Sequence, residues 1–269
     1  MKLSAIIFLI RSMMTLGGEQ EFLGARWISI LLKVAPFRRL AERLLSFSPH
    51  YFYGKSFWLS RKEIRSEFVR NDNSRKVLME DVLSPHLQCS MTVLDYGCGP
   101  GFLAKHVSTR VAKVYAVDVV DGVLACAKLI NPGKHPIDYR NIKIGMPSST
   151  CQLAFSFAVF QHLTRDACER AAEFISSSLS FGGVAIIHLV IDADGWESEY
   201  EIDSVMLKVK RKYGLNCFSR SRTEYVKLFQ SHGFGNIQIQ QAKVLTDVTD
   251  DIQGQHILTA VKIREERTI

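Results

Sequence analysis

Val93-Leu-Asp-Tyr-Gly-Cys-Gly-Pro-Gly101 decides how the rest of this chain is read. A β-branched and aliphatic run ends in an acid, Asp95. Gly97, Gly99 and Gly101 follow, and then an amphipathic stretch. The spacing predicts a strand, a tight loop and a helix. Gly admits positive φ in such a turn and lets a ligand approach the backbone closely. The helix start behind it directs N–H groups at whatever lies over the loop. At the carboxyl end of a parallel strand this is a nucleotide-binding arrangement.

The spacing also excludes two common nucleotide loops. A dinucleotide fingerprint needs a third Gly where this chain has Phe102, and its own third Gly comes one residue early. No Lys-Ser or Lys-Thr pair follows, which excludes a P-loop. A carboxylate such as Asp95 repels a pyrophosphate and attracts a cation. The cationic ligand that fits is S-adenosylmethionine, which carries a sulfonium and an ammonium.

Further along come V-Y-A-V-D (residues 114–118), L-A-F-S-F-A-V-F-Q-H-L (153–163), F-G-G-V-A-I-I-H-L (181–189) and Y-V-K-L-F-Q-S-H-G-F (225–234). With the Gly loop, these five segments resemble, in order, the motifs of the class I S-adenosylmethionine-dependent methyltransferases of small-molecule type. The resemblance covers roughly residues 89–191 and 219–263. It implies an α/β, Rossmann-like, seven-stranded and mostly parallel sheet with helices on both faces. The alternation of strands and helices after residue 92 argues for the same layout.

The resemblance implies a cofactor site made of Asp95, Gly97, Cys98, Gly99, Gly101, Asp118, Val119, Ile142, Phe157 and Ala158. Asp95 orders the loop and the methionine end. Cys98 is a small residue that fits within the loop. Asp118, 17 residues after Gly101, stands where nucleotide folds place the acid that accepts from the ribose hydroxyls. Asn141 or Ile142 falls beside the adenine. Ile142 has no side-chain acceptor, so backbone groups and apolar contact are expected to hold the ring there. The backbone at Phe157 and Ala158 meets the methionine amino group. Asp121 either adds polarity near the adenosine or caps a helix.

Methyl transfer asks the protein for alignment and, for a hydroxyl acceptor, a base. His162, just after the fourth strand, is the candidate catalytic residue, because an imidazole can take a proton near neutral pH. His188 on the fifth strand is a weaker candidate. The strand-four segment ends in Ala-Val-Phe-Gln-His-Leu and carries no Asn-Pro-Pro-Tyr or Asp-Pro-Pro-Tyr, which disfavours methylation of DNA base amino groups.

The chain has 269 residues, a net charge of +7 and six Cys, none spaced as C-x-x-C. Reduced thiols in a cytoplasmic protein, with no metal, are expected. Residues 1–88 read as a helical N-terminal extension and 89–269 as the methyltransferase domain, with an acceptor-side insertion at 192–220. The extension carries seven basic residues in its first fifty and apolar residues at helical spacing. It is read as a cap on the core or as an interfacial segment in peripheral contact with a membrane. The apolar run at 3–10 is too short to span a bilayer. Tyr51, Phe52, Tyr53, Phe57 and Trp58 either line an apolar acceptor pocket or pack under the preceding helix.

The function expected is methyl transfer to a hydroxyl or carbon of a small apolar or lipid-like acceptor. RNA or protein methylation is the alternative, set against the absence of a recognisable RNA-binding module. A non-catalytic binding protein on the same fold is the third reading.

Overall fold

A computed structural model describes residues 34, 61–131, 133, 136–146, 150–191, 198–199, 218–242 and 255–263. The amphipathic segments before residue 61 and most of the insertion lie outside these residues, as do the aromatics at 51–58. Helix α1 spans Arg61–Leu78, widens into a π turn at Met79–Leu83 and then tightens into a 3-10 turn at Ser84–His86. Pro85 sits in that last turn, where helical hydrogen bonding ends.

Five parallel strands follow with their helices. These are β1 (Thr92–Tyr96), α2 (Phe102–Val107), β2 (Lys113–Asp118), α3 (Asp121–Ile130), β3 (Ile137–Asn141), β4 (Cys151–Ser156), α4 (Arg165–Ser178) and β5 (Leu179–Val190). A two-residue ribbon, β6 (Ser198–Glu199) with β7 (Phe218–Ser219), brackets the insertion. Helix α5 (Arg222–Ser231) leads into β8 (Phe234–Gln241) and β9 (Gln255–Lys262). The sheet order is β3-β2-β1-β4-β5-β9-β8, with β9 antiparallel to both of its neighbours. The expected seven-stranded, mostly parallel sheet is present. The strand order reverses between β1 and β4, so the crevice lies above their carboxyl ends.

Alternation along the strands builds two cores. Leu94, Val117, Ala154, Ile187 and Leu189 face α4 and α5, where Ile175 and Phe229 are fully buried. Val93, Ala116, Leu153, Phe155 and Ile186 face the other way, against Leu78, Leu83, Leu103, Val107 and Leu124. The near-continuous apolar strands are what burial on both faces requires.

Local boundaries differ from the expected ones where side chains decide them. Pro100 lies two residues before α2, because Gly101, at φ +75°, is its N-cap. Thr164 precedes α4 but makes no capping bond through its hydroxyl. That helix ends at Ser178, and β5 begins at Leu179, so the Gly-Gly pair at 182–183 lies within the strand rather than in a turn before it. Ser221 and Glu224 form a full capping box at the start of α5. Cys98, Cys151 and Cys168 are buried free thiols, whereas Cys89 is exposed.

Lys262 is 3% exposed, and its Nζ donates to the carbonyls of Ser176 (2.6 Å) and Leu179 (2.9 Å). A cation thereby closes the last turn of α4, where the helix dipole favours positive charge. Lys262→Met removes both buried charge-assisted bonds and leaves the Ser176 carbonyl only its bond from the Leu179 amide. An unfolding free energy lower by about 3 kcal/mol is expected in urea denaturation, and a loss under about 0.5 kcal/mol, the scale of a surface substitution, would rule this capping role out.

Candidate active site

The Gly loop after β1 is held from three sides. From β2, the Val117 carbonyl accepts from the amides of Gly97 and Cys98, each at 2.9 Å. Asp118 accepts from Gly99 N–H at 3.0 Å through Oδ2 and from Val120 N–H at 3.1 Å through Oδ1. One carboxylate thus ties the loop after β1 to the loop after β2, a bond from the Val119 amide adds to these, and acceptor capacity remains for a further donor. From the end of α3, the Asn131 amide donates to the carbonyls of Pro100 (3.0 Å) and Ala127 (3.1 Å), and meets Tyr139 Oη at 3.1 Å. A Cβ at Gly101 would lie 2.5 Å from that Tyr139 oxygen, so space and the positive φ both require Gly there. From β4, Val159 closes on Gly97: a Cβ at 97 would lie 2.4 Å from Val159 Cγ2. The loops after β1 and β4 are packed in direct contact.

Asp95 lies beneath this loop, 3% exposed. Its Oδ2 has no hydrogen-bond partner among the described residues. Burial, reinforced by the charge of Asp118, pushes its pKa up to about 8, against the opposing pull of Arg75 on α1 and of a bond from the Ala104 amide. Burial also raises the pKa of Asp118, opposed by its bonds from backbone amides. A buried carboxyl with an open acceptor, backed by a second one, suits a cationic ligand. Above Gly99, at φ +52°, a Cβ would meet nothing within 4 Å, so the cradle is open. These residues fit S-adenosylmethionine.

At the edge expected to meet the adenine, Asn141 makes the bonds that join the loops. Its Nδ2 donates to the Val119 carbonyl (3.1 Å) and to Asp121 Oδ1 (2.7 Å), and its Oδ1 accepts from Lys143 N–H (3.0 Å). The Asn141 side chain is engaged in joining the loops after β2 and β3. Ile142 is half-buried and Val119 is 37% exposed at the same edge. Asp121 is the first residue of α3, and Val120 is the N-cap, so Asp121 does not take the capping position.

The segment after β4 carries the remaining candidates. Phe157 is buried, and Ala158 adopts φ +58°, which L-residues rarely take. His162 stands half-buried on a 3-10 turn, Phe160–His162, with its amide bonded to the Val159 carbonyl at 2.8 Å. Arg220, 3% exposed at the end of the insertion, donates to the carbonyls of Phe160 (3.4 Å) and Leu163 (2.7 Å) on either side of it. His188 is buried on β5 beside Phe157, and burial pushes its pKa down to about 4. A neutral, buried imidazole with both nitrogens bonded is no base for an acceptor, which removes His188 from that role. Sequence reasoning missed Asn131, Arg220 and Gln255. Each acts across long sequence separation, with no local pattern to mark it.

Residues 94–187 match the family model described as methyltransferase domain. The fold is similar to that of phosphoethanolamine N-methyltransferase 2 from Haemonchus contortus, solved with phosphomonomethylethanolamine and S-adenosylhomocysteine (16% identity, 71% of this chain and 53% of that one, TM-score 0.54). It is also similar to human N-acetylserotonin methyltransferase with S-adenosylmethionine (21% identity, 74% and 54%, TM-score 0.51). A Methanosarcina mazei S-adenosylmethionine-dependent methyltransferase is similar over 69% of this chain and 98% of its own (13% identity, TM-score 0.53). The chain spans about half the length of the first two. None of the curated proteins matches the sequence. Residues 94–187 are thus a methyltransferase domain, carried on the fold of S-adenosylmethionine-dependent methyltransferases, and the Gly loop and its buried acids fit S-adenosylmethionine as the cofactor. Among the described residues no helix is long and apolar enough to cross a membrane, and no group of three His, Cys, Asp or Glu could hold a metal ion.

Proposed function

We propose that this protein methylates a hydroxyl or carbon of a small apolar or lipid-like acceptor, with His162 as the general base. The observation that carries this is the make-up of the segment after β4. His162 lies there between Val159 and Leu163 in the chain, and these two and Ile191, just after β5, are half-buried, apolar and packed on the core at this end of the sheet. The cofactor, when bound, supplies the activated methyl group. The protein holds its ribose side through Asp118 and Val119, its adenine between Val119 and Ile142, and its methionine end against Asp95 and the backbone at Phe157 and Ala158. An acceptor packed on these apolar residues would exclude water, which strengthens charge interactions inside. His162 takes the acceptor proton. Both named relatives with half-length coverage are small-molecule methyltransferases by name. Peripheral membrane contact through residues 1–60 would bring a lipid-like acceptor to this mouth.

The test is methyl incorporation from labelled S-adenosylmethionine into lipid extracts, quinone-like and phenolic metabolites, and RNA. Label in an apolar product, reduced about 100-fold or more in His162→Ala with unchanged cofactor affinity, is expected. Label confined to RNA would replace the reading with the alternative favoured by the +7 charge.

A further inference from the structure

We infer that His188 is a positioning residue for the methionine end of the cofactor, fixing the left-handed backbone of Ala158 from behind the site. The inference rests on the cofactor reading above. His188 Nδ1 accepts from the Ala158 amide at 3.1 Å, so that nitrogen carries no proton. The proton is on Nε2, which donates to Gln255 Oε1 on β9. His188 is 2% exposed and Gln255 is 3% exposed, so no water competes for either bond. The ring lies nearly parallel to Phe157, at an interplanar angle of 6°. Ala158 is thereby held at φ +58°, a conformation that costs an Ala free energy and needs an outside constraint. The next residue, Val159, is the one that fills the space beside Gly97. A relay runs from β9 through Gln255, His188 and Ala158 to the Gly loop.

This arrangement assigns the Ala158 N–H to the protein, which leaves the carbonyls of the segment for a ligand ammonium. It also makes the contact sensitive to protonation. A doubly protonated His188 would turn a donor toward the Ala158 donor. Arg75 on α1, His162 on the neighbouring turn and His256 on β9 add positive charge that opposes this step, and Gln255 favours it.

The experiment compares calorimetric affinities for S-adenosylmethionine and for 5′-methylthioadenosine, which lacks the amino-acid end. His188→Leu fills the space with no acceptor. It is expected to weaken S-adenosylmethionine at least tenfold and leave methylthioadenosine within twofold. His188→Asn, whose Oδ1 stands close to the position of Nδ1, is expected to restore S-adenosylmethionine to within threefold. Equal losses for both ligands, or a folded His188→Leu that binds S-adenosylmethionine like the wild type, overturn the inference. Should His188→Leu not fold, His188→Asn and His188→Gln decide it, because only Asn presents an acceptor to Ala158; equal affinities in those two overturn it. Wild-type protein that binds methylthioadenosine but not S-adenosylmethionine sinks the cofactor reading itself, and the inference with it.

Discussion

Asp118→Ala is expected to weaken S-adenosylmethionine binding about 100-fold, or about 2.7 kcal/mol. The side chain has two duties. It accepts from Gly99 and Val120 and so keeps the loops after β1 and β2 in register with each other. On the proposed reading, its remaining acceptor capacity serves the ribose hydroxyls. Bonds to a carboxylate are worth about 1.5–3 kcal/mol each, and losing the acceptor also frees a Gly-rich loop whose ordering must then come from the ligand. Asp118→Asn keeps the shape but replaces one acceptor with an NH2 that faces a backbone N–H, so a loss between wild type and Ala is expected. Titration calorimetry of the folded variants is the check. A change below threefold in Asp118→Ala would show that the ribose is held elsewhere.

Cofactor binding is expected to release a proton near neutral pH, and Asp95 is the source. In the free protein burial and the Asp118 charge hold its carboxyl mostly protonated up to about pH 8. A cation arriving over the loop favours the carboxylate, so the pKa in the complex is lower. Between the two values affinity rises with pH, by at most about tenfold per pH unit for one proton. It levels off above about pH 8. The sign for stability is opposite. A carboxyl whose folded pKa is raised contributes stability fully present below its unfolded value of 3.8, and that stability is lost as pH rises toward about 8. Raising the pH thus lowers the melting temperature of the free protein through this group while tightening the cofactor. Calorimetry at pH 7 in buffers of different ionisation enthalpy measures the proton directly. Asp95→Asn should release none and show a flat affinity profile from pH 6 to 8. Equal apparent enthalpies in all buffers for the wild type would exclude the linkage.

The sheet and the Gly loop were legible in the sequence because both are written locally. Apolar runs ending in Asp95 and Asp118, and three Gly in five residues, each encode a strand end and a turn without reference to distant residues. Strand β5 starts before Gly182-Gly183, which resemble a turn in the sequence, because Leu179 and Ser180 suit either a helix end or a strand start. The support of the site was not legible. Asn131 clamps the loop from 30 residues away, Arg220 grips a turn 57 residues upstream, and Gln255 reaches His188 across 67. Such contacts are fixed by tertiary packing, and no period or propensity carries them. His188 shows the same limit: its residue type suggested proton chemistry, and only the two hydrogen bonds identify it as neutral.

The antiparallel placement of β9 carries a consequence for biosynthesis. The parallel strands and the Gly loop are all encoded before residue 191, yet β9, at 255–262, lies between β5 and β8 and supplies both Gln255 and Lys262. While the ribosome has not yet delivered this segment, the edge of β5 is bare, the carbonyls of Ser176 and Leu179 lack the Lys262 ammonium and His188 lacks its partner. A nascent chain can thus form the nucleotide-facing half early, but it becomes competent for the cofactor only when the last strand has emerged and inserted.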